Sequence, residues 1–510
     1  MMNVLLVYPE FPETFWSFTH ALGFIGKKAA FPPLGLLTVA ALLPETWAKR
    51  LVDTNVDLLT DKDILWADLV FIGGMAVQRT SAAQVIDRCR ALGATVVAGG
   101  PLFTSEPDAF TAVDHLVLDE AELTLPRFLS DLEKEKARKI YRARGFCHLG
   151  GTPVPLWELL HMKQYASMSI QFSRGCPFNC DFCNVTALFG HTPRLKTAEQ
   201  IIFELDEIYA SGWRGSIFFV DDNFIGNKKF LKKHLLPALI EWRKDKKGCV
   251  FFTESSINLA DDPALMGLMV AAGFDSVFIG IESPDEASLT ECHKTQNKNR
   301  DLLESVSIIH RSGLQVMGGF IVGFDNDRPS IFSRQIDFIQ KSGIVTAMVG
   351  LLQAVPGTRL FDRLAQENRI TESFSGNNVD GATNIIPRMG MDTLFDGYQS
   401  IMKQIYLPKN YYQRIRTLFQ ELKPPEILLP LNLQRFLCFF RAALRLGIMG
   451  KERFHYWYLI LWTMMRKPRL LPMAITLSVY GYHYRKICER CIFQCRGSKP
   501  ATGSGLFLDP

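Results

Sequence analysis

Three cysteines lie close together in the stretch FSRGCPFNCDFCNVT, residues 172–186. They are Cys176, Cys180 and Cys183, so the intervals between them hold three residues and two residues. Cysteine thiolates are the usual ligands of iron–sulfur clusters, and three at this spacing can reach one metal centre. A four-iron cluster held at three corners leaves one iron free for another ligand, as catalytic metal sites do. The spacing therefore predicts a catalytic [4Fe-4S] cluster.

A zinc site is the main alternative interpretation of these cysteines. Structural zinc normally has four protein ligands, and His191 follows closely enough to be the fourth. A buried trio without metal fits less well, because Arg174, Gly175 and Asn179 make the stretch polar and turn-forming. On the residues alone, the zinc alternative stays open.

The residues from about 165 to 385 alternate between apolar runs and amphipathic stretches. The amphipathic stretches, such as 228–246 and 299–313, have the apolar spacing of helices. Six strand–helix units predict a partial (β/α)6 barrel, whose reactive groups lie at the carboxyl ends of its strands. The three cysteines follow the first strand, so we expect them at that end. The predicted strands are 167–175, 216–224, 250–258, 276–283, 314–324 and 346–354.

Residues 1 to about 145 show a similar alternation and predict another α/β unit. Five continuous apolar strands, with helices such as 81–93 between them, indicate a Rossmann-like parallel sheet covered on both faces. Ligands of such sheets bind beyond the carboxyl ends of the strands. Glycines there let a flat ligand approach the backbone, although tight turns explain them equally well. The predicted strands are 3–9, 50–57, 67–75, 95–102 and 115–122, and the candidate residues at their ends are Asp53, Asn55, Gly73, Gly74, Gly99 and Gly100.

The cysteine stretch resembles the signature of the radical S-adenosylmethionine (radical SAM) enzymes. That signature is Cys-x₃-Cys-x-aromatic-Cys, and Phe182 occupies the aromatic position. The resemblance extends along the barrel half, and it implies that SAM chelates the open iron through its amino and carboxylate groups. One electron from the cluster then cleaves SAM and releases a 5′-deoxyadenosyl radical. An electron donor such as a flavodoxin or a ferredoxin is implied as a partner.

Segments at later strands resemble the SAM contacts of that family. GGFIVGF is similar to a fifth-strand motif, which implies that Gly319, Ile321 and Gly323 pack against adenine. GIES is similar to the fourth-strand segment that presents a glutamate, here Glu282, to SAM or to the reaction centre. The glycine pattern alone is a weak signal, because a bend in any buried strand can produce it.

The other SAM contacts implied by the resemblance lie on the second and third strands. The family's Gly-Gly-Glu is absent from the second strand, and VDDNF stands in its place. Asp221 and Asp222 are the substitutes for binding the amino group of SAM. Glu254 and Ser256, on the third strand, are further candidates. Each carboxylate also has an ordinary explanation as a helix N-cap or an ion-pair partner.

The N-terminal sheet, directly before such a barrel, resembles the cobalamin-binding domain of the cobalamin-dependent branch. VVAGGP and the DEAE at 119–122 match that branch's fourth-strand glycines and fifth-strand acidic turn. The Asp-x-His-x-x-Gly motif is absent, and Asn55 takes the place of its cobalt-binding histidine. Cobalamin is therefore expected in a base-off form without a protein imidazole, with Gln78 and Arg79 near its lower face. A sheet that has kept its fold and lost its ligand is the alternative.

Both cofactors together imply C-methylation of an unactivated carbon. The adenosyl radical removes a hydrogen atom from the substrate, methylcobalamin supplies the methyl group, and a second SAM remethylates the cobalt. The arrangement after the barrel resembles the subgroup that includes the hopanoid C-2 methylases, so a small molecule or a lipid is expected as the substrate. The rivals are a radical SAM enzyme without functional cobalamin, and a non-catalytic iron–sulfur or zinc-binding regulatory protein.

Residues 386–510 form a basic and aromatic part that we expect to be mainly helical, with a disordered tail. From 426 to 499 there are thirteen Lys or Arg residues and three Glu residues. Such helices can lie at a membrane interface or pack as a lid over the barrel, but no apolar stretch is long enough to span a bilayer. Cys488, Cys491 and Cys495 could bind a second metal, or could belong to the loose tail.

The composition of the 510 residues limits the remaining functions. A net charge of +5 is too small to predict a nucleic-acid partner. The eleven cysteines are an odd number spread through a long chain, which indicates a reducing cytoplasm rather than a disulfide framework. MMNVLLVYPE has the pattern of a buried strand rather than a secretion signal. We therefore expect a cytoplasmic protein that contacts membranes at most peripherally.

Overall fold

The computed structural model describes residues 2–371, 374–425 and 433–493. Within these residues, two parallel sheets of six strands follow each other along the chain, with a two-stranded hairpin beside the second sheet. Helices surround both sheets, and a purely helical part follows them. The predicted α/β class with a helical C-terminal region is therefore confirmed.

The N-terminal sheet is built on the apolar run NVLLVY. Its strands are β1 (Asn3–Tyr8), β2 (Ala48–Asp53), β3 (Leu69–Gly73), β4 (Thr95–Gly99), β5 (His115–Val117) and β6 (Ile140–Tyr141). They pair in the order β2-β1-β3-β4-β5-β6, so β1 lies between β2 and β3. Val4 and Leu6 pack in one core while Leu5 and Val7 pack in another, because successive side chains of a strand point to opposite faces.

The sixth strand of this sheet is an addition to the five that the sequence predicts. Ile140 and Tyr141 pair with Leu116 and Val117 of β5. Two residues are too few to show the alternation by which a strand is recognised in a sequence. Tyr141 is nevertheless buried, and its hydroxyl donates to Asp131 over 3.0 Å. The extra strand thus covers the edge of β5.

The second sheet has the sequential strand order of a partial barrel. Its strands are β7 (Ser167–Ile170), β10 (Ser216–Phe219), β11 (Val250–Ser255), β12 (Phe274–Glu282), β13 (Gln315–Val322) and β14 (Ala347–Leu351). They are hydrogen-bonded in chain order and all parallel. Each predicted strand of this half is present. Five of them are shorter than predicted, and β12 alone is longer. The first ends early because the chain leaves the sheet at Gln171.

A small hairpin follows the first barrel strand and flanks the cysteine loop. Its strands are β8 (Ser173–Arg174) and β9 (Arg194–Leu195), which pair antiparallel. The three cysteines lie between these two strands. The hairpin therefore closes the base of a loop that would otherwise be long and unsupported.

The helices cover both sheets and then form the C-terminal part. The first six are α1 (Thr19–Ile25), α2 (Leu34–Leu42), α3 (Asp61–Trp66), α4 (Arg79–Ala91), α5 (Pro101–Ser105) and α6 (Ala121–Glu133). The barrel helices are α7 (Val185–Phe189), α8 (Ala198–Ala210), α9 (Lys228–Phe230), α10 (Leu236–Trp242), α11 (Pro263–Ala272), α12 (Glu286–Glu291), α13 (Leu302–Ser312), α14 (Ser330–Ser342) and α15 (Arg359–Gln366). The C-terminal helices are α16 (Met391–Tyr406), α17 (Pro408–Glu421), α18 (Leu433–Ala442), α19 (Arg453–Arg466) and α20 (Leu471–Ile487).

The segment between β1 and β2 connects the N-terminal sheet to the barrel strands. The ring of Trp16 lies 5.1 Å from that of Phe278, and the ring of Phe31 lies 5.4 Å from that of Phe218. These aromatic contacts bury rings from both parts of the chain against each other. The N-terminal part is thus packed on the barrel rather than tethered to it.

The C-terminal helices are attached to the last barrel strands by buried polar contacts. Arg414 is fully buried, and its guanidinium donates to Gln340 over 2.6 Å and to the carbonyls of Ile405 and Val345. The Tyr406 hydroxyl donates to the carbonyl of Ala347, in β14, over 2.6 Å. In the part of the chain that the structure describes, no helix combines the length and apolar character needed to cross a bilayer.

Candidate active site

The three cysteines line one cavity at the carboxyl ends of the barrel strands. The cavity has a volume of about 190 Å³. Other predicted SAM contacts share its lining, namely Phe182, Asp222, Glu254, Ser256 and Glu282. The fold thus brings together, around the thiols, residues from β11 and β12 and from the loops after β8, β10 and β11.

Gly175 shapes the start of the cysteine loop. Its φ of +98° lies in the left-handed region that favours glycine. A Cβ atom there would come within 2.9 Å of the carbonyl oxygen of Gly190. The same carbonyl accepts a hydrogen bond from the amide of Cys176 over 3.2 Å. Only glycine lets the loop close tightly enough to place the first cysteine.

Asp181, between the second and third cysteines, ties the loop to other parts of the barrel. Its carboxylate pairs with Arg359 at 2.7 Å and with His293 at 2.8 Å. Its backbone amide donates to the carbonyl of Cys292, and its carbonyl accepts from Leu360. These four contacts hold the loop against segments that are distant in the sequence. The sequence alone does not indicate any of these contacts.

The environment of the thiols fits a group that binds them as thiolates. Burial raises the pKa of Cys183 to about 12 and also raises the pKa values of Cys176 and Cys180. Buried thiols therefore stay protonated unless a metal displaces the proton. Side-chain amides point at two of the sulfurs: Asn223 lies 4.0 Å from the sulfur of Cys176, and Gln296 lies 3.8 Å from that of Cys180. Such donors stabilise sulfur ligands of an iron–sulfur cluster.

Glu282 and Lys294 form a buried ion pair beside the thiols. The Lys294 ammonium lies 2.6 Å from the Glu282 carboxylate, and the two side chains are 12% and 8% exposed. Burial alone would lower the pKa of Lys294, but Glu282 and the thiolate of Cys180 raise it above its ordinary value. The cavity therefore contains one fixed positive charge. The sequence reasoning missed Lys294, because it lies in a loop without a periodic pattern.

Glu282 is held in a strained backbone conformation. Its φ is +61°, which is uncommon for a residue with a Cβ atom. The register between β12 and β13 shifts at this point. Gln335 donates to the carbonyl of Glu282 over 3.1 Å, and Asn297 donates to those of Gly280 and Ile281. Strain that neighbours maintain in this way is typical of functional sites.

The two aspartates of VDDNF have different environments. Asp221 is fully buried and accepts from the amides of Phe172 and Ser173 and from the Ser173 hydroxyl over 2.5 Å. It supports the backbone before the cysteine loop. Asp222 lines the cavity, and burial raises its pKa to about 6. Of the two predicted substitutes, only Asp222 is placed to contact a ligand.

Glu254 adds a second carboxylate to the cavity next to Asp222. Burial, together with the charges of Asp222 and Asp221, raises the pKa of Glu254 to about 8. Among the described residues, no side chain donates a hydrogen bond to it. Two neighbouring carboxylates in a cavity, neither of them neutralised by a side-chain ion pair with another described residue, favour a bound cation. The ammonium and sulfonium groups of SAM are cations, so the site fits SAM.

The predicted adenine motif lies beside the cavity rather than in its lining. Gly319 faces the ring of Phe278, with 3.0 Å between that ring and the position of a Cβ atom. Ile321 packs in the small cluster that contains Phe182. Gly323 has a φ of +111° and lies against Leu394. Gly280, which the sequence analysis did not select, lines the cavity instead, and a Cβ atom there would overlap Glu282.

Comparison with known proteins agrees with this site. Residues 170–333 match the radical SAM superfamily. An uncharacterized methyltransferase of Synechocystis sp. (strain ATCC 27184 / PCC 6803 / Kazusa) is 40% identical over 495 residues, which cover 96% of this chain and 92% of the relative. The chain belongs to the radical SAM superfamily. It is a methyltransferase-type enzyme of that superfamily.

A second relative and a second matching region extend the comparison. The hopanoid C-2 methylase of Rhodopseudomonas palustris (strain TIE-1) is 34% identical over 479 residues, 91% of this chain and 90% of the relative. Residues 358–496 match a domain of unknown function, DUF4070. The similarity to both relatives therefore extends well beyond the radical SAM match.

Two solved structures share the fold. The cobalamin-dependent SAM radical enzyme OxsB with aqua-cobalamin bound has a TM-score of 0.62 at 14% identity, covering 96% of this chain and 84% of that chain. The radical SAM methyltransferase TsrM of Kitasatospora setae, with cobalamin and a [4Fe-4S] cluster bound, has a TM-score of 0.58 at 16% identity, covering 96% and 99%. At these identities the likeness establishes the fold.

The polar residues predicted for cobalamin mainly support the backbone. The Asn55 side chain accepts from the amide of Phe11 and donates to the carbonyl of Pro9 and to Asp53. Gln78 is fully buried and also donates to the carbonyl of Pro9. Asp53 accepts from the Tyr165 hydroxyl over 2.8 Å. In this conformation, none of these three side chains is free to ligate cobalt.

The predicted glycines of this sheet leave its carboxyl edge without side chains. Gly73 and Gly99 are neighbours on β3 and β4, and both are half-buried, as is Gly100. Gly74, which follows Gly73, is buried. At Gly99, packing alone excludes a side chain, because a Cβ atom there would lie 2.4 Å from the carbonyl oxygen of Val117. The bare edge still fits a flat ligand that approaches the backbone.

The acidic turn DEAE contacts the cysteine hairpin. Glu120 accepts from Arg174 and from Arg194, each over 2.9 Å, and Glu122 accepts from Arg174 over 2.7 Å. The sulfur of Cys147 lies 3.7 Å from both guanidinium groups. The turn expected at the cobalamin site therefore connects the N-terminal sheet to the strands that flank the three cysteines.

The geometry gives no support to a single-ion site at either cysteine group. Within the described residues, no three His, Cys, Asp or Glu side chains meet in a way that could hold one metal ion. His191, the suggested fourth zinc ligand, is exposed. In the second group, Cys488 is buried and burial raises its pKa. Cys495 and the predicted disordered tail lie outside the described residues.

Proposed function

We propose that the protein is a cobalamin-dependent radical SAM methyltransferase that adds a methyl group to an unactivated carbon of a lipid-type substrate. The observation that carries the proposal is the cavity that the three thiols line together with the carboxyl groups of Asp222 and Glu254. The relative named a hopanoid C-2 methylase, matched along nearly its full length, supports the lipid class. Aromatic rings in the cavity lining also suit an apolar substrate, namely Phe178, Phe182 and Phe278.

Each part of the site has a role in this reaction. When bound, the cluster with SAM supplies hydrogen-atom abstraction, and methylcobalamin supplies the methyl group. Cys176, Cys180 and Cys183 would hold the cluster. Asp222 and Glu254 would bind the positive groups of SAM, and their burial makes this attraction strong.

Cobalamin would bind at the bare carboxyl edge of the N-terminal sheet, in a base-off form. Support comes from the half-buried glycines at the ends of β3 and β4, Gly73, Gly99 and Gly100. The positions occupied by Asn55 and Gln78 offer no imidazole, and both side chains are hydrogen-bonded to the backbone. We therefore propose that no protein side chain of this sheet ligates cobalt.

Anaerobic reconstitution tests the proposal. Protein purified with added hydroxocobalamin and a rebuilt cluster is incubated with SAM, a strong reductant and a lipid extract. We expect one cobalt and one four-iron cluster per chain, and equal amounts of 5′-deoxyadenosine and S-adenosylhomocysteine. Mass spectrometry should show a lipid product heavier by one methylene unit.

The same experiment tests the main alternative, a radical SAM enzyme without cobalamin. The internal hydrogen bonds of Asn55 and Gln78 favour that alternative, since they account for these side chains without a ligand. A fully loaded cluster that yields 5′-deoxyadenosine without cobalt and without S-adenosylhomocysteine would establish it. A Cys180→Ala variant is the control, and it should yield neither product.

A further inference from the structure

Two C-terminal helices expose apolar side chains along one face each. On α18 and the turns that continue it, the exposed residues recur every four positions, at Phe436, Phe440, Leu444 and Ile448. On α19 they recur at Phe454, Tyr458, Leu461 and Met465. Phe454 is 75% exposed and Met465 is 84% exposed. We call these eight side chains the apolar surface.

The opposite faces of the same helices are buried in the protein. Leu446 is fully buried on the first helix, as are Tyr456 and Leu459 on α19. The Trp457 indole N–H donates to the carbonyl of Gly447 over 2.9 Å, which joins the two helices. The two helices are thus packed against each other, and each keeps its apolar stripe exposed. Monomeric soluble proteins rarely leave a contiguous apolar patch of this kind uncovered.

The segment that carries the apolar surface is rich in positive charges. Residues 433–469 contain eight Lys or Arg residues and one acidic residue, Glu452. Glu452 is buried and paired with Arg485, so it does not offset the positive charge at the surface. The exposed cations of this region are Arg441, Arg445, Lys451, Arg453, Arg466 and Arg469.

We propose that the apolar surface docks on an anionic lipid bilayer. Helices with aromatic and aliphatic side chains on one face and cations at its edges bind in the plane of a bilayer interface. Each exposed cation near anionic lipid adds electrostatic attraction. A second copy of this chain is a poorer partner, since two such surfaces would bring their positive edges together. The proposal does not depend on the reaction at the cysteine site.

Vesicle sedimentation tests the docking with the full-length chain. The protein is mixed with vesicles of equal parts phosphatidylcholine and phosphatidylglycerol, or with vesicles of phosphatidylcholine alone. We expect strong binding to the first type, weaker binding to the second, and a loss of the difference at high salt. A variant with Phe454→Ser and Met465→Ser should bind the anionic vesicles at least tenfold more weakly.

Matched variants separate docking from a general change in the protein. Leu58→Ser with Leu65→Ser removes two apolar side chains of the N-terminal part that are 89% and 65% exposed. This control should bind as the wild type does. Lys451→Gln with Arg453→Gln should weaken binding to the anionic vesicles only, whereas Lys134→Gln with Lys136→Gln should have no effect.

Three results would overturn the proposal. The first is that the wild-type protein stays in solution with anionic vesicles. The second is that the Phe454 and Met465 variant and its Leu58 and Leu65 control bind equally. The third is a dimer in light scattering that the Phe454 and Met465 variant converts to a monomer, because a second copy would then occupy the surface.

Discussion

Asp221 and Asp222 show how neighbouring residues of the same type take different roles. Asp221 accepts three hydrogen bonds from the backbone and side chain of residues 172–173, and burial raises its pKa to about 7. Asp222 points into the cavity beside Glu254. A carboxylate that supports the backbone affects folding, whereas one that faces a ligand affects binding.

We expect Asp222→Asn and Asp221→Asn to have different effects. Asp222→Asn removes a charge that attracts the SAM cation, so the Kd for SAM should rise about tenfold while the unfolding temperature stays unchanged. Asp221→Asn replaces one of the two carboxylate oxygens that accept from the amides of Phe172 and Ser173. The loss of this acceptor should lower the unfolding temperature. Isothermal titration and thermal unfolding of the reconstituted protein measure both. Equal effects of the two variants on SAM binding would contradict the assignment.

Lys294 is the positively charged residue in the cavity that contains the three cysteines. It pairs with Glu282 and favours the thiolate forms of Cys180 and Cys183. A cation beside an iron–sulfur cluster stabilises its reduced, more negative form. Lys294 therefore positions Glu282 and also supports electron uptake.

Lys294→Met should lower the midpoint potential of the cluster. We expect a decrease on the order of 60 mV, which is a tenfold change in a one-electron equilibrium. SAM cleavage should slow accordingly. Potentiometric titration followed by electron paramagnetic resonance measures the shift. Lys232→Met, which removes a lysine paired with Asp262 at the surface, is the control and should leave the potential unchanged.

At the scale of elements, the acidic turn after β5 and the β8–β9 hairpin form one structural unit. Glu120 is 3% exposed and binds two arginines that flank the cysteine loop. It also accepts from the amide of Cys147 over 2.7 Å. Through these contacts, the N-terminal sheet determines where the ends of the cysteine loop lie.

Glu120→Gln should weaken this connection. Removing one partner from a buried ion pair leaves an uncompensated charge and costs about 3 kcal/mol. We expect a lower unfolding temperature, and less iron bound per chain after reconstitution. Calorimetry and iron analysis measure these effects. Glu304→Gln, in an exposed pair with Arg311, should change neither quantity, and an equal response of the two variants would contradict the structural role of Glu120.

The elements that sequence reasoning predicts well are those with a strong local signal. Continuous apolar runs indicated the eleven longer parallel strands, and the three-cysteine spacing indicated the loop that faces the cavity. The short strand at 140–141 has no such signal. Lys294 is a loop residue 111 positions after Cys183, so its place beside the thiols depends on the fold alone. The roles of Asp221 and Asp222 depend on side-chain direction, which a sequence of two aspartates does not specify.

At the scale of the whole molecule, three parts are packed around a large apolar core that contains two buried histidines. His310 is fully buried, and neither ring nitrogen has a hydrogen-bond partner within the described residues. Burial lowers the pKa of His310, and that of His483, to about 3. Between about pH 3 and 6.5 the unfolded chain therefore binds protons that the folded protein does not. The free energy of unfolding must fall as the pH decreases through this range.

His310→Leu should reduce this pH dependence. Each buried histidine adds about 1.4 kcal/mol per pH unit to the slope of the free energy of unfolding against pH. Removing His310 should therefore reduce that slope by this amount. The difference in unfolding temperature between about pH 7 and about pH 5 should be smaller for the variant. Scanning calorimetry of the metal-free protein measures it. His161→Leu, at an exposed position, is the control, and an identical pH dependence in both variants would contradict the burial argument.

The central claim is that three protein thiols hold a four-iron cluster whose fourth iron binds SAM. Electron–nuclear double resonance of the reduced, reconstituted protein tests it most directly, with SAM labelled by ¹⁵N at its amino group. We predict a cluster signal that changes when SAM is added, with a coupling to the labelled nitrogen that Cys180→Ala abolishes. A mononuclear metal signal, or a cluster signal that SAM leaves unchanged, would contradict the account.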